Sequence, residues 1–167
     1  GALVARTPEG IIYIKDVRHF RATSLGVEAA VKQAAELDGQ GVAVWIEQEP
    51  GSAGKALIDH YRREVIPRYA VYADPPTGDK GVRASPVAAQ AEAQNVKLVR
   101  GPWIGDFLDE VEQFPTNGVH DDQVDAVSGA YGALTGGSAD NWIQAAQMMA
   151  EAKRPAAEKG GWNGTGL

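Results

Sequence analysis

The chain has 167 residues, about the length of one domain, and 44% of them are hydrophobic, which provides a buried core and excludes a disordered chain. It has no cysteine, no apolar run of 18 residues and no secretory signal peptide at its start, which excludes disulfide scaffolds, cysteine-ligated metals and membrane-spanning helices. The net charge of −6 argues against a protein that binds nucleic acid by bulk charge alone.

The first predicted elements are a β-hairpin and a helix. Residues 2–6 and 11–18 are rich in β-formers and flank turn residues at 7–10, which predicts two antiparallel strands. Ser24 is predicted to be the N-cap of the next helix, and residues 38–41 end it. Helical spacing predicts the inward positions Val27, Ala30, Val31, Ala34, Ala35 and Leu37.

Two more strands and two more helices follow. The continuous apolar run 42–46 is typical of a buried strand, and residues 68–73 alternate as a half-buried strand does. Helices are predicted over about 53–66 and, after a loop at 75–81, over 82–94. The inward positions of the first of these helices are predicted to be Leu57, Ile58, Tyr61, Val65 and Ile66.

The last elements complete an α/β pattern. Residues 96–99 predict a short strand, 103–114 a helix and about 121–134 a final helix. We expect one α/β domain over 1–137, with helices on the faces of a mixed sheet, and a C-terminal helix and flexible tail over 138–167. The apolar side of the helix before the last is predicted to contain Trp103, Phe107, Leu108, Val111 and Phe114.

Glu47 is the first candidate site residue. It closes the apolar run 42–46, and open α/β sheets bind ligands beyond the carboxyl ends of their strands. A carboxylate at that place is suited to a metal or a substrate. The alternative is a solvated charge at a strand end.

The segment 51–55 (GSAGK) lies between a predicted strand and a predicted helix, as phosphate-binding loops do. It lacks the GxxxxGK[ST] spacing and the hydroxyl residue, which excludes a nucleoside triphosphate loop. Free N–H groups at the helix start, together with Lys55, are able to hold a single phosphate. The alternative is a tight turn with a surface lysine.

Acidic residues cluster towards the end of the chain. Seven acids and no base lie between Asp106 and Asp125, and Asp121, Asp122 and Asp125 open the last predicted helix. Acids in a first turn stabilise the helix dipole, and Asp121 is a candidate N-cap, but this accounts for only some of the three. Mutual repulsion favours a cation among them, and Mg²⁺ prefers carboxylate oxygens. Lys80 and Arg83, on the preceding glycine-rich loop and helix, are candidates for phosphate contacts or are ordinary surface charges.

Five segments, taken in order, resemble the C-terminal nuclease domain of the phage large terminase subunit, the DNA-packaging motor. The resemblance covers about residues 1–135 and implies an RNase H-like fold and metal-dependent cleavage of concatemeric double-stranded DNA. The segments are 46–55 (IEQEPGSAGK), 77–84 (TGDKGVRA), 95–99 (NVKLV), 107–110 with 114–115 (FLDE and FP), and 120–126 (HDDQVDA).

The resemblance also implies the site, which in this family takes acids from three places. Glu47 matches the middle position, Asp122 with Asp121 beside it matches the late helix, and Asp125 is a nearby candidate. These acids would bind two Mg²⁺ or Mn²⁺ ions, and Lys80, Arg83 and Lys55 would contact DNA. The implied partners are double-stranded DNA, the terminase ATPase domain, the portal and the small terminase subunit. The implied location is the cytoplasm of the infected bacterial host, with no membrane and no secretion.

The sequence departs from the family pattern at its start. The family's first acid lies on a strand before the hairpin, whereas this sequence begins at the second strand, and Asp16 is out of place in the pattern. We therefore expect a sheet that lacks the first strand and one catalytic carboxylate, and no ATP hydrolysis, since the motor's ATPase domain is absent. Alternative functions are an RNase H-like nuclease of the resolvase or integrase type, a non-catalytic docking domain of the motor, and an isolated phosphate-binding domain built on 51–55.

Overall fold

A computed structural model describes residues 1–75, 80–116 and 120–135, so the predicted C-terminal segment 138–167 lies outside the described residues. In chain order, the elements are β1 (Ala2–Arg6), β2 (Ile12–Val17), α1 (Ser24–Asp38), β3 (Val44–Glu47), α2 (Ser52–His60), a π-helical segment (Tyr61–Val65), β4 (Val71–Asp74), α3 (Lys80–Glu92), β5 (Val96–Leu98), α4 (Ile104–Gln113) and α5 (Asp122–Thr135).

The described strands form two sheets. In the first, β2 lies between β1, which is antiparallel to it, and β5, which is parallel to it; β3 and β4 pair in parallel in the second. Among the described residues, β1 and β3 each pair with a strand on one side only. Both sheets belong to one compact unit, Gly1–Leu134. The predicted mixed α/β architecture is confirmed, but the described strands form two sheets rather than the predicted single one.

The predicted hairpin of β1 and β2 is confirmed. Its strands pair from Ala2 opposite Val17 to Arg6 opposite Ile12, with one irregularity in register. The turn closes because Thr7 Oγ1 accepts a hydrogen bond from Ile11 N at 3.2 Å. These interactions are local in sequence, which is why the residue pattern predicts them well.

Helix α1 begins differently from the prediction. Thr23, not Ser24, is the N-cap, and its Oγ1 accepts a hydrogen bond from Gly26 N at 3.3 Å. The predicted inward face is also too wide, because Val27 and Leu37 are 37% and 71% exposed. From α1, the buried Ala35 and the partly buried Val31 pack into the core.

The strand β3 starts later than predicted and is half-buried rather than buried. Its residues Val44 and Ile46 pack at the edge of one core cluster, and β4 covers one side of the strand. The apolar run predicts more burial of β3 than the structure has, because β3 has a single neighbouring strand within the described residues. This cluster consists of Ala35, Tyr61, Val65, Ile66 and Val71.

The predicted helix over 53–66 changes its geometry part-way. After α2, the π-helical segment places one more residue in each turn, and Ile66 N donates to the Tyr61 carbonyl at 2.9 Å. Ile58, Tyr61, Val65 and Ile66 are buried as predicted, whereas Leu57 is 44% exposed. The predicted inward face is therefore correct except at Leu57, and it continues through the wider turn.

A second core cluster joins the three-stranded sheet to α4 and α5. It consists of Ile14, Val17, Trp103, Phe107 and Val127. Two predicted inward residues of α4, Leu108 and Val111, are 42% and 43% exposed, and Glu110 is buried instead. The face of α4 is shifted because Glu110 forms hydrogen bonds with the start of α5.

Candidate functional site

Two carboxylates end neighbouring parallel strands. Glu47 is the last residue of β3, Asp74 is the last residue of β4, and the two are register partners. The Gln48 N–H donates to the Asp74 carbonyl at 2.9 Å, which continues the pairing past the end of β3. Ligands of open α/β sheets bind beyond such strand ends, so this is the expected place for a site.

Arg83 reaches the same place from α3 and contacts α5 as well. Its Nη2 lies 3.0 Å from Asp125 Oδ1, and its Nη1 lies 4.0 Å from Glu47 Oε1. The side chains of Arg83 and Asp125 are 20% and 18% exposed, whereas that of Glu47 is 61% exposed. Arg83 and Asp125 therefore form a largely desolvated ion pair, whereas the Glu47 side chain is open to solvent. We call Glu47, Asp74, Arg83 and Asp125 the strand-end cluster.

Asp74 is a half-buried member of this cluster. Burial raises the pKa of its carboxyl, the Arg83 charge partly opposes this shift, and the Glu47 charge adds to it. A Cβ atom at Gly129 would lie 3.2 Å from Asp74 Oδ2, so α5 passes this carboxyl at a residue without a side chain. Since Gly129 lies one helical turn after Asp125, the same face of α5 meets both Asp74 and Arg83.

Asp122 lies in a different environment from Asp125. Its side chain is 67% exposed, and its Oδ2 lies 3.6 Å from His19 Nε2 and 4.0 Å from His120 Nδ1. Asp125 shares Arg83 with Glu47, whereas Asp122 pairs with two histidines. The structure thus brings together two of the predicted acids and places a third elsewhere on the same helix.

The start of α5 is held by a carboxylate from α4. Glu110 Oε1 accepts hydrogen bonds from the backbone N–H groups of Gln123 at 2.7 Å and Val124 at 2.9 Å, and Oε2 accepts one from Gln123 Nε2 at 2.8 Å. Asp121 occupies the N-cap position, because its carbonyl accepts the first helical bond, from Asp125 N at 2.9 Å. The two amides that Glu110 binds are those that an N-cap side chain usually satisfies.

The predicted basic residues also lie in different environments. Lys55 is exposed in α2, Lys80 begins α3 with its side chain outside the described part, and Arg83 turns towards carboxylates. Residues 52–55 form the first turn of α2 rather than a loop, and a Cβ atom at Gly54 would collide with the Glu49 carbonyl. Close approach of the backbone therefore accounts for Gly54.

Comparison with known families gives one result that covers this whole region. A family model described as the terminase RNaseH-like domain matches residues 1–134. The chain belongs to this family. No match was found among curated proteins or among solved structures. The predicted family and fold class are confirmed, and membership assigns this terminase domain a nuclease or packaging role with DNA and the packaging motor as its general partners.

RNase H-like nuclease domains generally use divalent metal ions, and the donor chemistry of the terminase domain fits such ions. The strand-end cluster presents carboxylate oxygens, which Mg²⁺ and Mn²⁺ prefer, and a positive guanidinium already lies among them. The described residues contain no group of three or more histidine, aspartate or glutamate side chains arranged to hold a metal. The carboxylate oxygens of the strand-end cluster are thus of the type that binds Mg²⁺ or Mn²⁺. In this structure, however, they are arranged around Arg83.

Two residues of the terminase domain were missed by the sequence analysis. Asp74 ends its strand as Glu47 does, so the rule for strand ends would have found it if β4 had been predicted to extend to Asp74 rather than to residue 73. Glu110 carried no local signal, because it lies among six other acids between Asp106 and Asp125. Its role depends on hydrogen bonds to another helix.

Proposed function

We propose that this chain is the metal-dependent endonuclease domain of a viral DNA-packaging terminase, and that it cleaves concatemeric double-stranded DNA in the cytoplasm of the infected bacterium. The observation that carries the proposal is the convergence of Glu47 and Asp125 on one guanidinium at the carboxyl end of β3. Paired carboxylates at that edge of the fold, in a chain of the terminase RNase H-like family, supply the oxygen ligands that metal-dependent phosphodiester hydrolysis uses.

The carboxylates have distinct roles in this proposal. Glu47 and Asp125 would hold Mg²⁺ or Mn²⁺, with Asp122 and Asp121 as a further pair at the start of α5. Two bound ions would supply a lower pKa for the attacking water and stabilisation of the leaving 3′ oxygen. The high exposure of Glu47 leaves this side of the site accessible to a DNA strand.

The basic residues and the partners complete the proposal. Lys55, Lys80 and Arg83 bind the DNA backbone, and phosphate contacts carry no sequence information of their own. The position of the cut is therefore set by the rest of the motor: the ATPase domain, the portal and the small terminase subunit.

The test is nicking of a supercoiled plasmid by the chain with Mn²⁺, compared with Glu47→Gln and Asp125→Asn. We expect nicking that EDTA abolishes and that each variant reduces by roughly 100-fold, which is about the upper end of the effect of losing a residue that supports a metal. Glu49→Gln and Asp109→Asn are the matched controls, because both residues are exposed acids outside the strand-end cluster. Asp122→Asn, tested in parallel, ranks the two acids of α5.

Two results would contradict the proposal. Nicking that persists in EDTA would exclude a metal-dependent reaction. Nicking that Glu47→Gln and Asp125→Asn leave at the level of Glu49→Gln would exclude the strand-end cluster as the catalytic centre.

A non-catalytic docking domain is the second candidate function. One observation favours it: the described residues contain no three-ligand metal group. This candidate predicts no Mn²⁺ affinity and no effect of Glu47→Gln on DNA packaging by the assembled motor.

A further inference from the structure

We propose that Arg83 is a positioning residue that couples DNA binding to metal binding. In the absence of DNA, its guanidinium acts as an internal counter-cation for the strand-end carboxylates. A DNA phosphate then takes over the guanidinium and leaves the carboxylates to the metal. This inference rests on the proposed nuclease function and deepens it.

The first argument is the position of the charge. Arg83 is the group that α3 inserts between β3 and α5, and it contacts Glu47 on one side and Asp125 on the other. Three carboxylates converge here, and like charges at such distances disfavour each other's ionised forms. A guanidinium in the middle offsets this repulsion, so it competes directly with a divalent cation for the same oxygens.

The second argument is that Arg83 is held incompletely. Its Nε is buried and has no hydrogen-bond partner within the described residues. Its contact with Glu47, at 4.0 Å, is an ion pair without a hydrogen bond. A buried donor left unsatisfied carries a desolvation penalty, which a better acceptor would relieve.

The third argument is that phosphate is that better acceptor. A phosphate group accepts two parallel N–H bonds from a guanidinium, a geometry for which arginine is preferred over lysine. The Glu47 side of the cluster, at 61% exposure, gives the phosphate an approach from solvent. Exchange of partners then satisfies both pairs, the guanidinium with phosphate and the carboxylates with metal. By linkage, DNA must tighten metal binding and metal must tighten DNA binding by the same factor.

The experiment is calorimetric titration of Mn²⁺ into the full metal-free chain, with and without a nuclease-resistant phosphorothioate duplex, and with the duplex alone as the blank. The variants are Arg83→Gln, which removes the charge, and Arg83→Lys, which keeps it. Arg68→Gln is the matched control, because Arg68 is an exposed arginine outside the strand-end cluster. Circular dichroism and thermal unfolding establish that each variant is folded.

Without DNA, we expect Arg83→Gln to bind Mn²⁺ roughly fivefold or more tightly than the unmodified chain, at the lower end of typical coupling between sites. The duplex should tighten Mn²⁺ binding by the unmodified chain and by Arg68→Gln, but not by Arg83→Gln. Arg83→Lys should bind Mn²⁺ without DNA as the unmodified chain does and should gain less from the duplex.

The inference and the proposed function fail in different ways. If the duplex leaves Mn²⁺ binding by the unmodified chain unchanged, or if Arg83→Gln binds Mn²⁺ no more tightly than Arg68→Gln, the coupling role of Arg83 is overturned while the metal site stands. The measurement of Mn²⁺ binding with and without the duplex needs only the unmodified chain. If neither the unmodified chain nor Arg83→Gln binds Mn²⁺ under any condition, the proposed metal site is overturned, and the inference with it.

Discussion

Two carboxylate groups near α5, Glu110 and Glu47, differ in how their oxygens are satisfied. Glu110 is 7% exposed, and both of its oxygens accept short hydrogen bonds from Gln123 and Val124. Glu47 is 61% exposed, and its contact with Arg83 is at 4.0 Å. One carboxylate is enclosed and fully engaged, while the other is open and loosely paired.

The difference indicates which of the two is available for chemistry. A carboxylate whose acceptors are taken by backbone amides fixes the position of a helix and has little left to offer a ligand. Glu47, whose contact with Arg83 is at 4.0 Å and whose side chain is 61% exposed, keeps oxygens that a ligand can reach. Of the seven acids between Asp106 and Asp125, Glu110 is therefore structural, whereas Asp125 belongs to the strand-end cluster through its ion pair with Arg83.

The largest expected effect tests the structural side of this comparison. Glu110→Ala leaves two backbone N–H groups and the Gln123 amide without their acceptor, and we expect the free energy of unfolding to fall by about 3 kcal/mol. Urea denaturation measures the loss. Glu112→Ala, at an exposed position of the same helix, should change stability by less than about 0.5 kcal/mol. Equal effects of the two variants would show that the Glu110 hydrogen bonds do not hold α5.

A smaller effect on stability is expected from alanine substitutions at two glycines of α5. Nothing lies within 4 Å of a Cβ atom built at Gly132, so Gly132→Ala should stabilise the chain by about 0.5–1 kcal/mol through helix propensity. At Gly129, the new Cβ atom would lie 3.2 Å from Asp74 Oδ2, and the carboxyl must move to accommodate it.

We therefore expect Gly129→Ala to gain less stability than Gly132→Ala, or to lose some. Thermal unfolding of the two variants under the same conditions gives the difference. Equal gains would mean that the Asp74 carboxyl moves away from α5 without cost, and that α5 does not constrain the strand-end cluster.

The sequence predicts the parts of the fold that depend on neighbouring residues. It fails where contacts between distant segments determine which side chains are buried. The hairpin of β1 and β2 follows from alternation and turn residues that lie next to each other in the chain. The exposure of Leu57 depends on which segments pack against α2, and that of Leu108 on the shift of α4 towards the start of α5. Neither leaves a mark in residue periodicity, because both are set by tertiary packing.

The candidate site shows the same limit. Glu47 is predictable, because it ends an apolar strand. Which aspartate of α5 contacts Arg83, Asp122 or Asp125, is not predictable, because both lie in the first turns of one helix. The contact depends on the direction from which Arg83 of α3 approaches. Arg83 itself was predicted as a DNA contact, and its position among acids is visible only when β3, α3 and α5 are assembled.

The smallest expected effect is a pH dependence of stability that comes from Asp74, the half-buried carboxyl of the strand-end cluster. Burial raises the pKa of Asp74 above its ordinary value of 3.8, so the folded chain keeps this proton to a higher pH than the unfolded chain does. Where the folded state binds more protons, stability falls as pH rises. The contribution of Asp74 is thus complete below pH 3.8 and is lost as pH rises through its folded pKa.

Asp74→Asn removes this titration and keeps the shape of the side chain. We expect the variant to gain stability relative to the unmodified chain as pH is raised from about 4 towards 7, and the gain to level off once Asp74 is ionised in the folded state. Urea unfolding across this range measures it on metal-free protein, with Asp109→Asn, an exposed aspartate of α4, as the control. A difference that stays constant with pH, or that reverses, would show that burial beside α5 does not raise the pKa of Asp74 in the folded chain.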